Sequence, residues 1–420
     1  MSLLTRSRSS GPRGRHIPTT RRTRRHMPTH AERDRRWNLL DDLCREHGFD
    51  ALVVSGNDYR GHKGGVRWVS DYNMHHRSAH AVKIPGQPAT VVVSGNLAGA
   101  RARQADWTDD YLFPGSIGEG LVEAIGKAGK VGRIGVTGLG QIIKVDEYLA
   151  LQRAFPGAEL VDATHAFDQV RQVKSAEEIA GLEESAYILD QCFSRLLEIA
   201  RPGITEREIG AEMYRVGHLL GGEDPLFLTM YHDTLRDGTQ YSSFAPPRDR
   251  ALGTHDVHTF SFEITGPMGY WTELSRMVTF AKPSADQKRL AAAVAAGIGA
   301  AEQTLNPGTS PADVQRAIIA AVESHGAKSA YWSGHSIGID VLEYPWIGLD
   351  VVEDDTNSGD EVVGEGNTFA IHPMLIDEEH GVSGYMSDTF VIGSDGARKL
   401  SEHRTAFYRI SKGEVHVVED

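Results

Sequence analysis

Two stretches lying about a hundred residues apart follow one plan, and this recurrence constrains the fold more than any other feature of the chain. A long amphipathic helix pattern ends at Arg201-Pro-Gly203, and a second, over residues 290–305, ends at Asn306-Pro-Gly308. Proline cannot continue a helix, and glycine readily closes one, so each Pro-Gly reads as a stop. Each stop is followed by another helical segment, 205–220 and 310–325, and then by strand-like sequence. Self-similarity at that spacing implies a duplicated α/β half in which two related units share one core.

The duplication occupies only the later part of the chain. Upstream, apolar groups at 37, 39, 40 and 43 followed by Gly48 mark an amphipathic helix. The short runs 51–55, 89–94, 134–137 and 158–161 are bounded by turn residues and alternate with helical sequence, as in an α/β domain. At 420 residues the chain exceeds one compact core. We therefore expect a basic, disordered tail over 1–35, an α/β domain over 36–168 and the duplicated domain over 169–420.

Composition narrows the function. Residues 1–26 carry eight Arg and no acid, so the net charge of −13 leaves about −21 on the remainder. Such an acidic body disfavours nucleic acid, whose binding depends on cations displacing phosphate counterions. No apolar run approaches the ~18 residues a membrane span requires. Cys44 and Cys192 are the only cysteines, which offers neither a disulfide framework nor a thiolate metal site. A cytoplasmic enzyme with a small-molecule substrate is the expectation, with neither nucleic acid nor membrane as partner.

Four phrases sharpen this. In order they are Val173-Lys-Ser-Ala-Glu-Glu178, Gly269-Tyr-Trp-Thr-Glu-Leu-Ser-Arg276, Gly334-His-Ser-Ile-Gly338, and Ser387-Asp-Thr389 with Gly396. Their order and spacing resemble the creatinase, aminopeptidase P and prolidase superfamily. The resemblance implies an N-terminal creatinase-like α/β domain followed by a C-terminal duplicated α+β "pita-bread" catalytic domain. It also implies a homodimer in which one subunit's N-terminal domain completes its neighbour's site.

Metallopeptidases of that superfamily hold two divalent metals with Asp, Asp, His, Glu and Glu. The matching positions here are Glu263, Glu273, His335, His372 and Ser387. Ser387 replaces the carboxylate that bridges the two metals, which argues against a dinuclear cluster. Glu273, His335 and His372 retain one carboxylate and two imidazoles, a set suited to a single Fe, Mn or Zn ion. Glu263 is a fourth ligand or an acid/base. Strand alternation points the neighbouring Asp388 away from the site.

Other positions depart from a peptidase. The family's substrate-handling histidines fall on Phe244 and Leu342, and creatinase's glutamate on Ser275. His232, beside Tyr231, is a candidate acid or base. Arg60, His62, His75 and His76, with His80 beyond, are candidate substrate-binding cations, although a solvated turn is the ordinary reading of such a His-rich loop. Glu343-Tyr-Pro345 reads as structural, and core packing is the simpler account of Trp332 and Trp346.

Three functions stay open at this level. The first is a metal-free hydrolase of an amide, amidine or cyclic C–N bond using Glu263. The second is a mononuclear metal enzyme with hydrolytic, lyase or oxidative chemistry. The third is an inactive binding protein on the same fold.

Overall fold

The computed structural model describes residues 27–75, 77–93, 106–234, 240–329, 332–349, 361–377 and 382–418, with the side chains of 232–241 excluded. Most of the expected tail therefore lies outside the described residues. Helix α1 spans His30–His47, so ordered structure begins inside the stretch assigned to the tail. Thr29 caps it by accepting from the Glu32 N–H, and Gly48 closes it in the left-handed conformation.

The N-terminal unit contains β1 (Ala51–Asn57), α2 (Gly64–Ser70), β2 (Ser78–Lys83), β3 (Thr90–Val93), β4 (Tyr111–Leu112), α3 (Ile117–Gly126), β5 (Arg133–Val136), α4 (Val145–Ala154), β6 (Glu159–Asp162) and α5 (Thr164–Gln172). Its sheet order is β4-β3-β2-β1-β5-β6, mixed in direction, with β1 antiparallel to β2 and parallel to β5. β2 escaped the sequence reading. It carries His80, which is fully buried and hydrogen-bonded to the Ser55 hydroxyl at 3.1 Å, not solvated in a turn.

The duplication is visible in the remainder. Helices α6 (Ala176–Ile199) and α7 (Glu206–Leu219) precede β7 (Glu223–Thr234), β8 (Gln240–Ala245), β9 (Val257–Thr265) and β10 (Trp271–Thr279). Helices α8 (Ala285–Thr304) and α9 (Pro311–Ser324) precede β11 (Trp332–Ser336), β12 (Glu343–Gly348) and β13 (Thr368–Ile371). The chain finishes with β14 (Met374–Asp377), β15 (Val382–Tyr385), β16 (Asp388–Gly393), β17 (Gly396–Lys399), β18 (Phe407–Ser411) and β19 (Glu414–Val417). One sheet runs β19-β18-β10-β9-β7-β8 and the other β12-β11-β13-β16-β17. An isolated bridge between Ser275 and Ser387 joins them, so the two halves meet along β10 and β16. Apolar clusters under each helix pair supply the driving force, one centred on Phe193, Phe227 and Phe262 and the other on Val294, Ile318 and Phe390.

Two of the sequence phrases turn out to be structural joints. Ser175 and Glu178 form a capping box at the start of α6. The Glu178 carboxylate also accepts from Trp68 Nε1 (2.9 Å), Arg35 (2.8 Å) and the Tyr270 hydroxyl (2.6 Å), which ties the N-terminal unit to the β9–β10 hairpin. Arg276 pairs with Asp388 at 2.8 Å, both fully buried, so Asp388 does point away from the site as alternation predicts. Glu343 is structural too, being buried between Lys174 (2.8 Å) and Arg171 (3.5 Å). A Cβ on Gly338 would lie 2.5 Å from the Glu343 carboxylate, so only glycine fits that turn.

Candidate metal centre

Four strands deliver the site. Glu263 on β9 and Glu273 on β10 are direct cross-strand partners, which places both carboxyls on one face of the hairpin. His335 on β11 pairs with Ala370 on β13, and His372 follows β13 directly, so both imidazoles arise from the other sheet. Donor atoms of Glu273, His335 and His372 all lie within 4.8 Å of one another, and all three residues are buried.

The protonation pattern suits cation binding. His335 Nδ1 is 2.8 Å from the Ser336 carbonyl oxygen, so Nδ1 carries the hydrogen and donates it. That leaves the Nε2 lone pair facing Glu273, whose Oε2 is 4.0 Å away. Burial, with the neighbouring His372 adding to it, lowers the pKa of His335 to about 4. Burial also takes His372 to about 4, so both rings are neutral at physiological pH, as ligands must be. Glu263 is outside the three-residue group. Burial raises it to about 8, Glu273 adding to the effect, which suits a carboxyl that holds a proton better than a fourth ligand.

Hydroxyl groups fill the space beside Glu273. The Tyr385 hydroxyl donates to Glu273 Oε1 at 2.9 Å and is hydrogen-bonded to Ser261 as well. Ser261 Oγ is in turn 3.4 Å from Glu263 Oε1. Ser387 and Ser275 are hydrogen-bonded at 2.9 Å, and Ser387 also reaches the Glu273 carboxylate. The two positions at which serine stands in place of a family carboxylate thus partner each other. Tyr385 carried no sequence signal, because its role depends on a contact 112 residues away.

Aromatic side chains wall this centre. Trp332 lies 5.0 Å from the His372 ring, Trp346 lies 5.6 Å from His335, and the two indoles are 5.7 Å apart. Phe244 packs 4.7 Å from Tyr385. The expectation that both tryptophans serve core packing is corrected: each is half-buried and rests on a site histidine. Leu342 packs in a small cluster with Trp271 and Ile337.

The remaining candidates separate. Arg60 acts electrostatically on Glu263, and its buried Nε has no hydrogen-bond partner among the described residues. Its loop is clamped: the Val341 N–H donates to the Arg60 carbonyl at 3.3 Å, and the Gly64 N–H donates to Asp340 at 2.7 Å. His62 packs edge-on against Tyr59, and burial lowers its pKa. His75 is exposed, and Tyr231 is half-buried with the Arg248 guanidinium 5.4 Å from its ring. His76 and the His232 side chain lie outside the described residues.

Comparison with known proteins agrees with this architecture. A family model described as metallopeptidase family M24 matches residues 180–395, and one described as the creatinase/prolidase N-terminal domain matches 36–173. The uncharacterized peptidase YqhT of Bacillus subtilis is 27% identical over 86% of this chain and 96% of its own length. Ectoine hydrolase of Halomonas elongata is also 27% identical, over 61% of this chain and 64% of its own. Alignments to curated relatives thus span from 49% to 96% of those proteins. Among solved structures, dipeptidase PepE from Mycobacterium ulcerans superposes with a TM-score of 0.74 at 20% identity, covering 92% of this chain and all of that one. No helix among the described residues is long and apolar enough to cross a membrane.

Proposed function

Because the chain belongs to metallopeptidase family M24, whose members use divalent metals and hydrolyse C–N bonds, we propose that it is a hydrolase of a small-molecule C–N bond with one divalent cation at Glu273, His335 and His372. The carrying observation is the convergence of three buried donors within 4.8 Å, with the His335 tautomer set by Ser336. Fe, Mn and Zn all fit one carboxylate and two imidazoles. A bound cation would supply Lewis acidity to the scissile group.

The chain's own residues supply the rest. Glu263 carries a proton at neutral pH and stands opposite Glu273, in position to protonate a leaving nitrogen and to take a proton back. Arg60 pairs with an anionic group of the substrate, which its unsatisfied Nε and its place beside Glu263 support. Trp332, Trp346 and Phe244 exclude water from the reacting atoms. A linear peptide is disfavoured, because Phe244 and Leu342 stand where peptidases of this kind carry histidines. An amide, amidine or cyclic amidine is the substrate class, and the likeness to a protein named ectoine hydrolase supports hydrolysis of a non-peptide bond.

The test is a metal inventory of protein purified without chelator. We expect one equivalent in the native chain and loss of tight binding in His372→Ala. Full retention in that variant rejects the triad. A native chain that is metal-free yet cleaves such a substrate favours a second reading, in which Glu263 alone acts as base or nucleophile, a role its raised pKa would allow.

A further inference from the structure

A carboxylate ligand has two oxygens, and how many it offers a cation depends on what else holds it. Glu273 is held on three sides. Its backbone N–H donates to Thr389 Oγ1 at 2.9 Å, which fixes the strand position from which the side chain departs. Oε2 faces His335 Nε2. Oε1 accepts from the Tyr385 hydroxyl at 2.9 Å. Tyr385 is itself immobilised, with 8% of its surface exposed and its ring packed between Phe244 (4.7 Å) and His372 (5.9 Å). Its backbone lies on the β14–β15 ribbon opposite Met374, two residues beyond His372, so one ribbon places the phenol and the imidazole together.

We infer that Tyr385 is a positioning residue: its hydroxyl occupies Oε1 of Glu273, so that the carboxylate presents Oε2 alone toward His335 and a cation in this centre takes one carboxylate oxygen. The inference rests on the metal-centre reading above and assigns within it the residue that sets how Glu273 binds. Without the phenol, Oε1 would lose its Tyr385 donor, leaving the Ser387 hydroxyl as the remaining side-chain donor to the carboxylate, which could then turn both oxygens toward the cation. Partners that orient a metal ligand in this way change affinity by about 10- to 100-fold when removed.

Cobalt(II) is the probe, since its visible spectrum reports coordination number independently of turnover. The full-length native protein and Tyr385→Phe, which keeps the ring packing, are each titrated with cobalt by calorimetry and absorbance. We expect one equivalent in both, with affinity about 10- to 100-fold weaker in the variant and a changed band intensity from the altered coordination. Equal affinity with an identical spectrum overturns the assignment. A crystal structure of cobalt-loaded native protein tests it without mutation: Oε1 on Tyr385 and Oε2 on the ion supports it, and two-oxygen coordination by Glu273 overturns it. Native protein that takes up no cobalt overturns the metal-centre reading itself, a result distinct from equal uptake by both proteins.

Discussion

Glu263 and Glu273 face each other directly across the β9–β10 ladder, and burial together with their mutual repulsion holds Glu263 up to about 8. Two carboxyls so close cannot both ionise easily, and the one outside the triad keeps the proton. Glu263→Gln preserves shape and hydrogen bonding but removes proton transfer. We expect kcat/KM to fall about 10²- to 10⁴-fold while metal content stays unchanged. A variant with native turnover would show that Glu263 only shapes the pocket.

In the proposed reaction Arg60, which acts electrostatically on Glu263, would pair with an anionic group of the substrate. Charge-assisted hydrogen bonds contribute about 1.5–3 kcal/mol, so Arg60→Ala should raise KM for an anionic substrate roughly 10- to 100-fold with kcat little altered. Neutral analogues of that substrate should show no such penalty. Equal losses for charged and neutral compounds would assign Arg60 to folding.

The Arg276–Asp388 pair is fully buried, and removing one partner strands the other charge. Asp388→Ala should therefore destabilise the protein by about 3–5 kcal/mol, read as a lower urea midpoint. A shift within the scatter of surface substitutions would mean that the carbonyls of Ser275, Ser387, His403 and Arg404, which also accept from Arg276, satisfy it alone.

Acid should weaken the fold well before ordinary carboxylates titrate. Burial lowers His258 from 6.5 to about 4, so the folded state keeps it neutral while the unfolded chain takes up a proton. Its contribution is complete above pH 6.5 and is lost as pH falls toward 4, an effect of roughly 3 kcal/mol. His335 and His372, both lowered to about 4, add to the same window in metal-free protein. Glu206 acts lower: although burial raises it, Arg248 and Arg250 bring it down to about 2, so its contribution is present above 4.5 and lost as pH approaches 2. Urea midpoints in chelator should drop between pH 7 and 4.5, and less so in His258→Leu. Midpoints that do not move across that interval would contradict the buried neutral imidazole.

Much of this is legible in the sequence, for identifiable reasons. Helix stops such as Pro202-Gly203 and Pro307-Gly308 act locally, so the duplicated halves could be read from order alone. The candidate ligands Glu273 and His335 are legible because each sits inside a phrase whose neighbours also have structural work, such as Arg276 and Gly338, and His372 follows from the order of the family's ligand positions. What stayed hidden depends on contacts between distant parts of the chain. Tyr385 is an ordinary strand residue until the fold brings Glu273 to it, and the Ser275–Ser387 pair looks like two separate losses. His80 resembles its exposed neighbours in the sequence because no local pattern marks β2. Trp332 and Trp346 carry no mark that distinguishes a pocket wall from a core.

The Arg60 loop is clamped onto residues 339–341. A Cβ on Gly64 would lie 2.5 Å from the Ile339 carbonyl oxygen, so the loop is docked as tightly as backbone allows. The group that would discriminate among substrates and the groups that would transform them are thus encoded in separate domains yet share one rigid seam. Exchanging residues 58–63 for another sequence could redirect the enzyme toward new compounds and leave its reaction chemistry intact.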